Sequence, residues 1–199
     1  MQALVFDFGN VIYSYDKEIF FKKLLEVSNI RESKARALFY YEGLEDRVST
    51  GEISEDEFFH RVKEKFQADL TKDEFDEIYC SMFEPNNRVI GLIEELSEDY
   101  RIQLFSDINP IHYRKVVKEC EVYPYIDAET LSFEVGTLKR ERAGYKDAIE
   151  KSGAKRLDIV FIDDILEYIK RARSLGIHGI HYKGFRHLVD RLRDLGVEI

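Results

Sequence analysis

Charged and hydroxyl side chains follow apolar runs at four places in this chain. Residues 3–6 are too few for a helix and apolar on both faces, which predicts a buried parallel strand. Asp7 follows that strand directly, and Gly9 and Asn10 then allow a tight turn. Three later apolar runs are followed by comparable residues: Ser106 and Asp107, then Lys139, then Asp163 and Asp164.

These strand ends predict one shared site, because the carboxyl ends of parallel strands meet at one edge of a sheet, where ligands bind. A carboxylate, a hydroxyl, a lysine and an acidic pair together suit phosphoryl transfer to an aspartate. The carboxylate attacks phosphorus, while Mg²⁺ and the lysine neutralise the phosphate oxygens. Mg²⁺ prefers hard oxygen ligands and takes only a few of them from protein carboxylates. We therefore expect a phosphate site with a Mg²⁺ ion at this edge.

Strand and helix patterns alternate regularly around these residues. Apolar runs predict strands at 3–6, 102–105, 130–135, 158–162 and 178–182. Apolar residues at helical spacing predict helices at 89–96, 111–120, 143–152, 165–175 and 185–195. The sequence therefore predicts an α/β fold with a doubly wound, parallel, Rossmann-like sheet of about five strands.

Residues 16–82 interrupt this alternation with amphipathic helices and carry no strand signal. Two candidate capping boxes, Ser54 with Glu57 and Thr71 with Glu74, mark helix starts. Such a stretch is far longer than a crossover connection needs, so we expect a helical cap inserted over the sheet. The predicted core domain comprises residues 1–14 and 84–199, and the predicted cap domain comprises residues 15–83.

The charged segment 43–58 within this stretch is expected to be loop-like. Two interpretations of its Arg47 stay open. The side chain either lies in a solvated turn between helices or reaches the crevice and binds substrate, as loop residues near a site often do.

Composition limits the classes of partner. The chain has 199 residues, of which 44% are hydrophobic, and a formal net charge of −9. That charge argues against nucleic acid or an anionic membrane as the main partner. No run approaches a membrane span, and Cys80 and Cys120 form no ligand pattern, so we expect a cytoplasmic protein with reduced thiols. Its expected state is a monomer or a homodimer.

Four segments resemble the ordered motifs of the haloacid dehalogenase superfamily, in the branch with a helical cap after the first strand. They are FDFGNVI (6–12), LFSDINPIHYR (104–114), VGTLKRERAGYKDAI (135–149) and IVFIDDILEYIKRARSLGIHGIHY (159–182). The first motif is similar to the DLGNV or DFGNV of sugar-phosphate phosphatase-like members. The resemblance implies a Mg²⁺-dependent phosphatase acting on a small phosphorylated metabolite, such as a sugar phosphate.

The resemblance also implies roles for single residues. Asp7 would be the nucleophile that forms an aspartyl-phosphate, and Lys139 would neutralise both the nucleophile and the phosphate. The metal would lie at Asp7, the backbone carbonyl of Gly9, Asp164 and the adjacent Asp163, and the substrate at Ser106 and Asp107.

Four positions depart from the family pattern. Gly9 stands where most phosphatases of the family have an aspartate that serves as general acid and base. Asp107 stands where asparagine is frequent, Arg140 follows Lys139 in place of proline, and Tyr168 replaces an aspartate or asparagine. Two alternatives therefore stay open: a 2-haloacid dehalogenase, whose relatives also lack the second aspartate, and a member that binds a phospholigand or a protein without turnover.

Overall fold

The computed structural model describes residues 1–41 and 43–199, except for the side chains of residues 37–41. The strands are β1 (Ala3–Phe6), β2 (Tyr13–Tyr15), β3 (Phe83–Pro85), β4 (Arg101–Ser106), β5 (Ala128–Leu131), β6 (Ile159–Asp163) and β7 (His178–His181). The helices are α1 (Lys17–Glu26), α2 (Glu32–Tyr41), α3 (Leu44–Ser49), α4 (Glu55–Phe66), α5 (Lys72–Cys80), α6 (Asn87–Leu96), α7 (Pro110–His112), α8 (Ser132–Val135), α9 (Arg142–Ser152), α10 (Leu166–Ser174) and α11 (Phe185–Asp194).

The parallel sheet confirms the predicted fold class. Its strand order is β5-β4-β1-β6-β7, so β1 lies at the centre between β4 and β6. Successive β1 side chains point to opposite faces. Leu4 and Phe6 pack into one apolar cluster, and Ala3 and Val5 pack into another. Helices therefore cover both faces of the sheet. Asp7 follows the central strand β1 and so lies at the middle of the carboxyl edge of the sheet.

Two predicted boundaries on the β4–β5 side of the sheet were wrong. The strand expected at 130–135 ends at Leu131, and the chain turns into α8 because the Ser132 hydroxyl hydrogen-bonds both backbone groups of Ile108. The helix expected at 111–120 is α7 followed by a π-helical turn at Tyr113–Val117. The contacts between Ser132 and Ile108 join residues 24 apart in the sequence, so local periodicity does not report them.

Helices α1 to α5 form a block with its own apolar core. The rings of Phe20, Phe58, Phe75 and Tyr79 pack against one another at the centre of this block. The block joins the rest of the chain through β2 and β3, which pair as an antiparallel ribbon that the sequence pattern did not predict. None of the helices in the described part of the chain is long and apolar enough to cross a membrane.

The starts of the helices in this block test the sequence signals directly. Thr71 and Glu74 form the predicted capping box. Only half of the other box forms, because Ser54 accepts from the Glu57 backbone while the Glu57 carboxylate pairs with Arg61. The segment expected to be a loop at 43–58 contains helix α3, which begins after a left-handed glycine, Gly43.

Candidate active site

Asp7 is held at the end of β1 by backbone contacts. Its N–H donates to the Ile162 carbonyl at 2.9 Å, and its carboxylate oxygen Oδ1 accepts from the Phe8 N–H at 2.7 Å. The turn that follows places Asn10 in the left-handed region, with φ of 56°, which asparagine tolerates better than most residues. The side chain is 6% exposed and borders a cavity, so this carboxylate is buried but reachable.

Four contacts hold Lys139, two through its side chain and two through its backbone. Its ammonium nitrogen lies 2.8 Å from Asp7 Oδ1 and 2.7 Å from Asp163 Oδ2. Its backbone N–H donates to Asp107 Oδ1 at 2.8 Å, and its carbonyl accepts from Arg171 at 2.9 Å. Burial lowers the pKa of Lys139, but the neighbouring carboxylates outweigh that effect and hold it above its usual range. The lysine therefore stays protonated, and hydrogen bonds fix a loop that lacks the proline of the family motif.

Three carboxylates crowd around this lysine. Oxygens of Asp7, Asp163 and Asp164 lie within 4.8 Å of one another. Burial and the charge of Asp163 raise the pKa of Asp7, although Lys139 acts in the opposite direction. Burial also raises the pKa of Asp164, whose Oδ2 accepts from Asn10 at 3.0 Å. One lysine leaves this group with excess negative charge, which a divalent cation with oxygen ligands would neutralise.

Asp163 and Asp164 differ in what their oxygens do. Both oxygens of Asp163 are engaged, Oδ2 by Lys139 and Oδ1 by the Ile165 N–H at 2.7 Å. Asp163 thus positions the lysine and the start of α10. Asp164 is half-buried and borders the cavity, and its backbone carbonyl lies 2.9 Å from His181 Nε2.

Ser106 and Asp107 also border the cavity, at the end of β4. Burial raises the pKa of Asp107, whose Oδ1 accepts from the Lys139 backbone. Its Oδ2 accepts from the Tyr168 hydroxyl at 3.5 Å. Two of the four departures from the family pattern therefore contact each other, and Asp107 secures the lysine loop.

The cavity has a volume of about 270 Å³ and lies between the sheet edge and the helical block. Arg47 is not among the residues that border it within the described part of the chain, because its guanidinium pairs with Glu52 at 2.7 Å. The structure places Arg47 in helix α3, half-buried, and not in a turn between helices, and it does not bring Arg47 to the other site residues. The cations that do border the cavity, besides Lys139, are Lys17, paired with Glu45, and Arg140, paired with Asp46 at 2.8 Å. The sequence marked Arg140 as a departure from the family pattern, but no spacing marked Lys17.

A buried polar network closes one side of the cavity. The Asn109 amide donates to the Tyr79 hydroxyl at 3.0 Å and lies 2.9 Å from His112 Nδ1. Burial lowers the pKa of His112 to about 3, so the imidazole is neutral near pH 7 and Nδ1 accepts from the amide. The network ties the loop after β4 to helix α5, and the sequence contained no pattern that indicated it.

A family model described as haloacid dehalogenase-like hydrolase matches residues 1–176. The chain therefore belongs to this family, as its motifs indicated.

Solved structures of family members share the fold over nearly the whole chain. A HAD family enzyme of Bacteroides thetaiotaomicron, in complex with magnesium and inorganic phosphate, has a TM-score of 0.84 at 24% identity, covering 94% of this chain and 98% of its own. A HAD phosphatase from Thermococcus onnurineus has a TM-score of 0.75 at 22% identity, covering 100% of this chain and 99% of its own. At these identities the likeness shows the fold.

A curated relative is flavin mononucleotide hydrolase 1 of Arabidopsis thaliana, a chloroplast protein. It is 25% identical over 103 residues, which are 52% of this chain and 42% of the relative. The match thus spans less than half of that protein.

Proposed function

We propose that this chain is a Mg²⁺-dependent phosphatase that hydrolyses a small phosphorylated metabolite through a covalent intermediate on Asp7. The observation that carries the proposal is the buried contact of 2.8 Å between Asp7 and Lys139 at the floor of the cavity. A carboxylate beside a fixed ammonium group can attack phosphorus while the cation neutralises the phosphate oxygens.

The roles of the residues follow from their contacts. In the described structure, the hydrogen bond from Phe8 and the closest approach of Lys139 both fall on Asp7 Oδ1, which leaves Oδ2 to attack phosphorus. The bond from phosphorus to the leaving oxygen then breaks. Water later attacks the phosphorus of the phosphorylated Asp7, the bond from phosphorus to the Asp7 oxygen breaks, and inorganic phosphate leaves as the carboxylate is restored. The Ser106 hydroxyl, at the neighbouring strand end, would donate to a phosphate oxygen.

The acidic residues fit a magnesium ion. Asp7 and Asp164, with the backbone carbonyl of Gly9, would hold it, and the crowding of three carboxylates within 4.8 Å supports this assignment. Asp163 would remain beside the metal, because both of its oxygens already serve Lys139 and the backbone. The ion would supply positive charge opposite the phosphate oxygens.

The size of the cavity and the relatives support a small substrate. A cavity of about 270 Å³ suits a small metabolite. The Arabidopsis relative is named for hydrolysis of flavin mononucleotide, and the Bacteroides enzyme was crystallised with magnesium and phosphate. We propose that residues 1–14 and 84–199 carry the chemistry and that residues 15–83 form a cap that contacts the leaving group.

The test is a panel of phosphate esters assayed with Mg²⁺ and with a chelator, using the parent and Asp7→Asn. We expect phosphate release that needs Mg²⁺ and falls to background in Asp7→Asn, because an amide cannot form the acyl-phosphate. Near-parental turnover by Asp7→Asn would contradict the assignment of the nucleophile.

Two other outcomes would favour the alternatives. Halide release from a 2-chloro acid without added metal would indicate a dehalogenase. Tight binding of phosphate analogues with no hydrolysis across the panel would indicate a binding protein.

A further inference from the structure

The ring of Tyr15 occupies the space beside Gly9. A β carbon at position 9 would lie 2.9 Å from Tyr15 Cε1 and 3.4 Å from Cδ1. Gly9 does not have a positive φ, so its backbone conformation alone does not demand glycine. The constraint on position 9 is therefore steric, and Tyr15 imposes it.

The edge of the Tyr15 ring covers Gly9, and the hydroxyl lies next to that edge. Cε1 is the ring carbon next to the one that carries the hydroxyl, and it is closer to position 9 than Cδ1. The carbon that carries the hydroxyl and the hydroxyl oxygen both lie more than 4 Å from a β carbon at position 9, so the edge of the ring, and not its hydroxyl, covers Gly9. Tyr15 borders the same cavity as Asp7, and the ring of Phe83 in the paired strand β3 supports it at a centroid distance of 5.8 Å.

The Tyr15 hydroxyl has no hydrogen-bond partner among the residues that the structure describes, in contrast to the lysines and the other tyrosine hydroxyls named next. Lys139 is held by two carboxylates, and the ammonium of Lys17 is held by Glu45. The hydroxyls of Tyr79 and Tyr168 donate to Glu45 and Asp107. Tyr15 therefore offers the cavity a phenolic donor that the fold itself does not use.

We propose that Tyr15 donates a hydrogen bond to the leaving-group oxygen of the substrate and thereby lets this enzyme cleave esters of poor leaving groups without a side chain at position 9. The inference rests on the proposed phosphatase function. As the bond from phosphorus to oxygen breaks, its electron pair stays on the leaving oxygen, phosphorus becomes bonded to Asp7, and the oxygen takes a proton from water. The Tyr15 hydroxyl stabilises the negative charge that develops on that oxygen.

The dependence on leaving group is the readout. Aryl phosphates such as 4-nitrophenyl phosphate develop a stable leaving anion and need little help, whereas alkyl phosphates need much. For Tyr15→Phe we expect kcat/KM to fall by roughly 10²-fold on alkyl phosphates, because one hydrogen-bond donor to a developing charge typically contributes a factor of that size. On 4-nitrophenyl phosphate we expect a fall of only about 3-fold, because this leaving group needs little stabilisation. The affinity for inorganic phosphate, measured by calorimetry, should stay as in the parent because phosphate carries no leaving group.

The matched control is Tyr13→Phe. Tyr13 lies on the same ribbon and stacks on Phe8, but it is not among the described residues that border the cavity. We expect Tyr13→Phe to leave kcat/KM unchanged on both alkyl phosphates and 4-nitrophenyl phosphate.

A second pair of variants tests the steric relation. Gly9→Asp alone should damage activity on every substrate, because its β carbon meets the Tyr15 ring. In Gly9→Asp combined with Tyr15→Ala the ring is gone, so we expect alkyl-phosphate turnover above that of Tyr15→Ala alone.

Equal losses on both substrate classes in Tyr15→Phe, or no loss, would overturn the inference about Tyr15. If the parent then still hydrolyses 4-nitrophenyl phosphate in an Asp7-dependent manner, the proposed function survives. A parent without any Asp7-dependent hydrolysis would overturn both.

Discussion

Replacing Lys139 by methionine separates the chemical role of this lysine from its structural role. The ammonium nitrogen contacts Asp7 and Asp163 at 2.8 and 2.7 Å and is almost completely buried. Methionine keeps an unbranched side chain among the surrounding rings but removes the charge. Removal of one partner from a buried ion pair costs about 3–5 kcal/mol, because the remaining charges stay desolvated.

For a chain of this length, that cost corresponds to a fall in melting temperature of roughly 6–20 °C. Urea unfolding should be measured with a chelator present, so that no metal ion replaces the missing charge. Turnover, measured with Mg²⁺ on 4-nitrophenyl phosphate, should fall by about 10²-fold or more, because one fixed charge at the phosphate is lost. The control is Lys170→Met, which breaks an exposed pair with Glu167 and should cost less than about 1 kcal/mol.

The double variant Lys139→Met with Asp163→Asn completes the experiment. The neutral amide oxygen can still accept from Ile165, while one unpaired buried charge disappears. We expect the double variant to recover about 0.5–3 kcal/mol of the lost stability, the usual range for coupled neighbours, but to recover no activity. A Lys139→Met protein that unfolds earlier but keeps its turnover would show that the lysine is purely structural. If the loss of stability in the double variant equals the sum of the losses in Lys139→Met and in Asp163→Asn alone, the coupling between Lys139 and Asp163 is refuted.

Two further predictions concern metal and protons. Mg²⁺ at about ten times its dissociation constant should stabilise the parent by about 1.4 kcal/mol, a rise of roughly 3–6 °C in melting temperature. At one fixed Mg²⁺ concentration the rise should be larger at pH 8 than at pH 6, because burial raises the pKa of Asp7 to about 8 and the ion must displace its proton. The rise should vanish in Asp164→Asn, and equal shifts in the parent and this variant would show that Asp164 does not bind the metal. Burial lowers the pKa of His112 to about 3. Between pH 3 and 6.5 the unfolded chain therefore binds a proton at His112 that the folded chain does not bind. This difference lowers the free energy of unfolding by about 1.4 kcal/mol for each pH unit of acidification in that range. His112→Gln should therefore show a flatter decline than the parent in urea unfolding at pH 7 and pH 5, and parallel declines would contradict a buried neutral imidazole.

Local pattern was sufficient to predict the residues at the strand ends. Asp7, Ser106 and Asp163 come at the ends of short apolar runs, and strands buried on both faces produce such runs. Parallel strands then bring their carboxyl ends to one edge whatever the details of packing. Lys139 was predicted by its position in an ordered set of motifs, although the strand before it ends earlier than its pattern suggested.

The tertiary structure alone decided which side chains complete the cavity. Helix α3 carries Glu45, Asp46 and Arg47, and nothing in their spacing tells that the first two border the cavity while Arg47 pairs with Glu52. The close approach of Tyr15 to Gly9 depends on the β2–β3 ribbon, whose strands are separated by the entire helical block. Periodicity indicates which face of a strand or helix is buried. It does not indicate which other element packs against that face, so contacts between elements cannot be predicted from the pattern of one element alone.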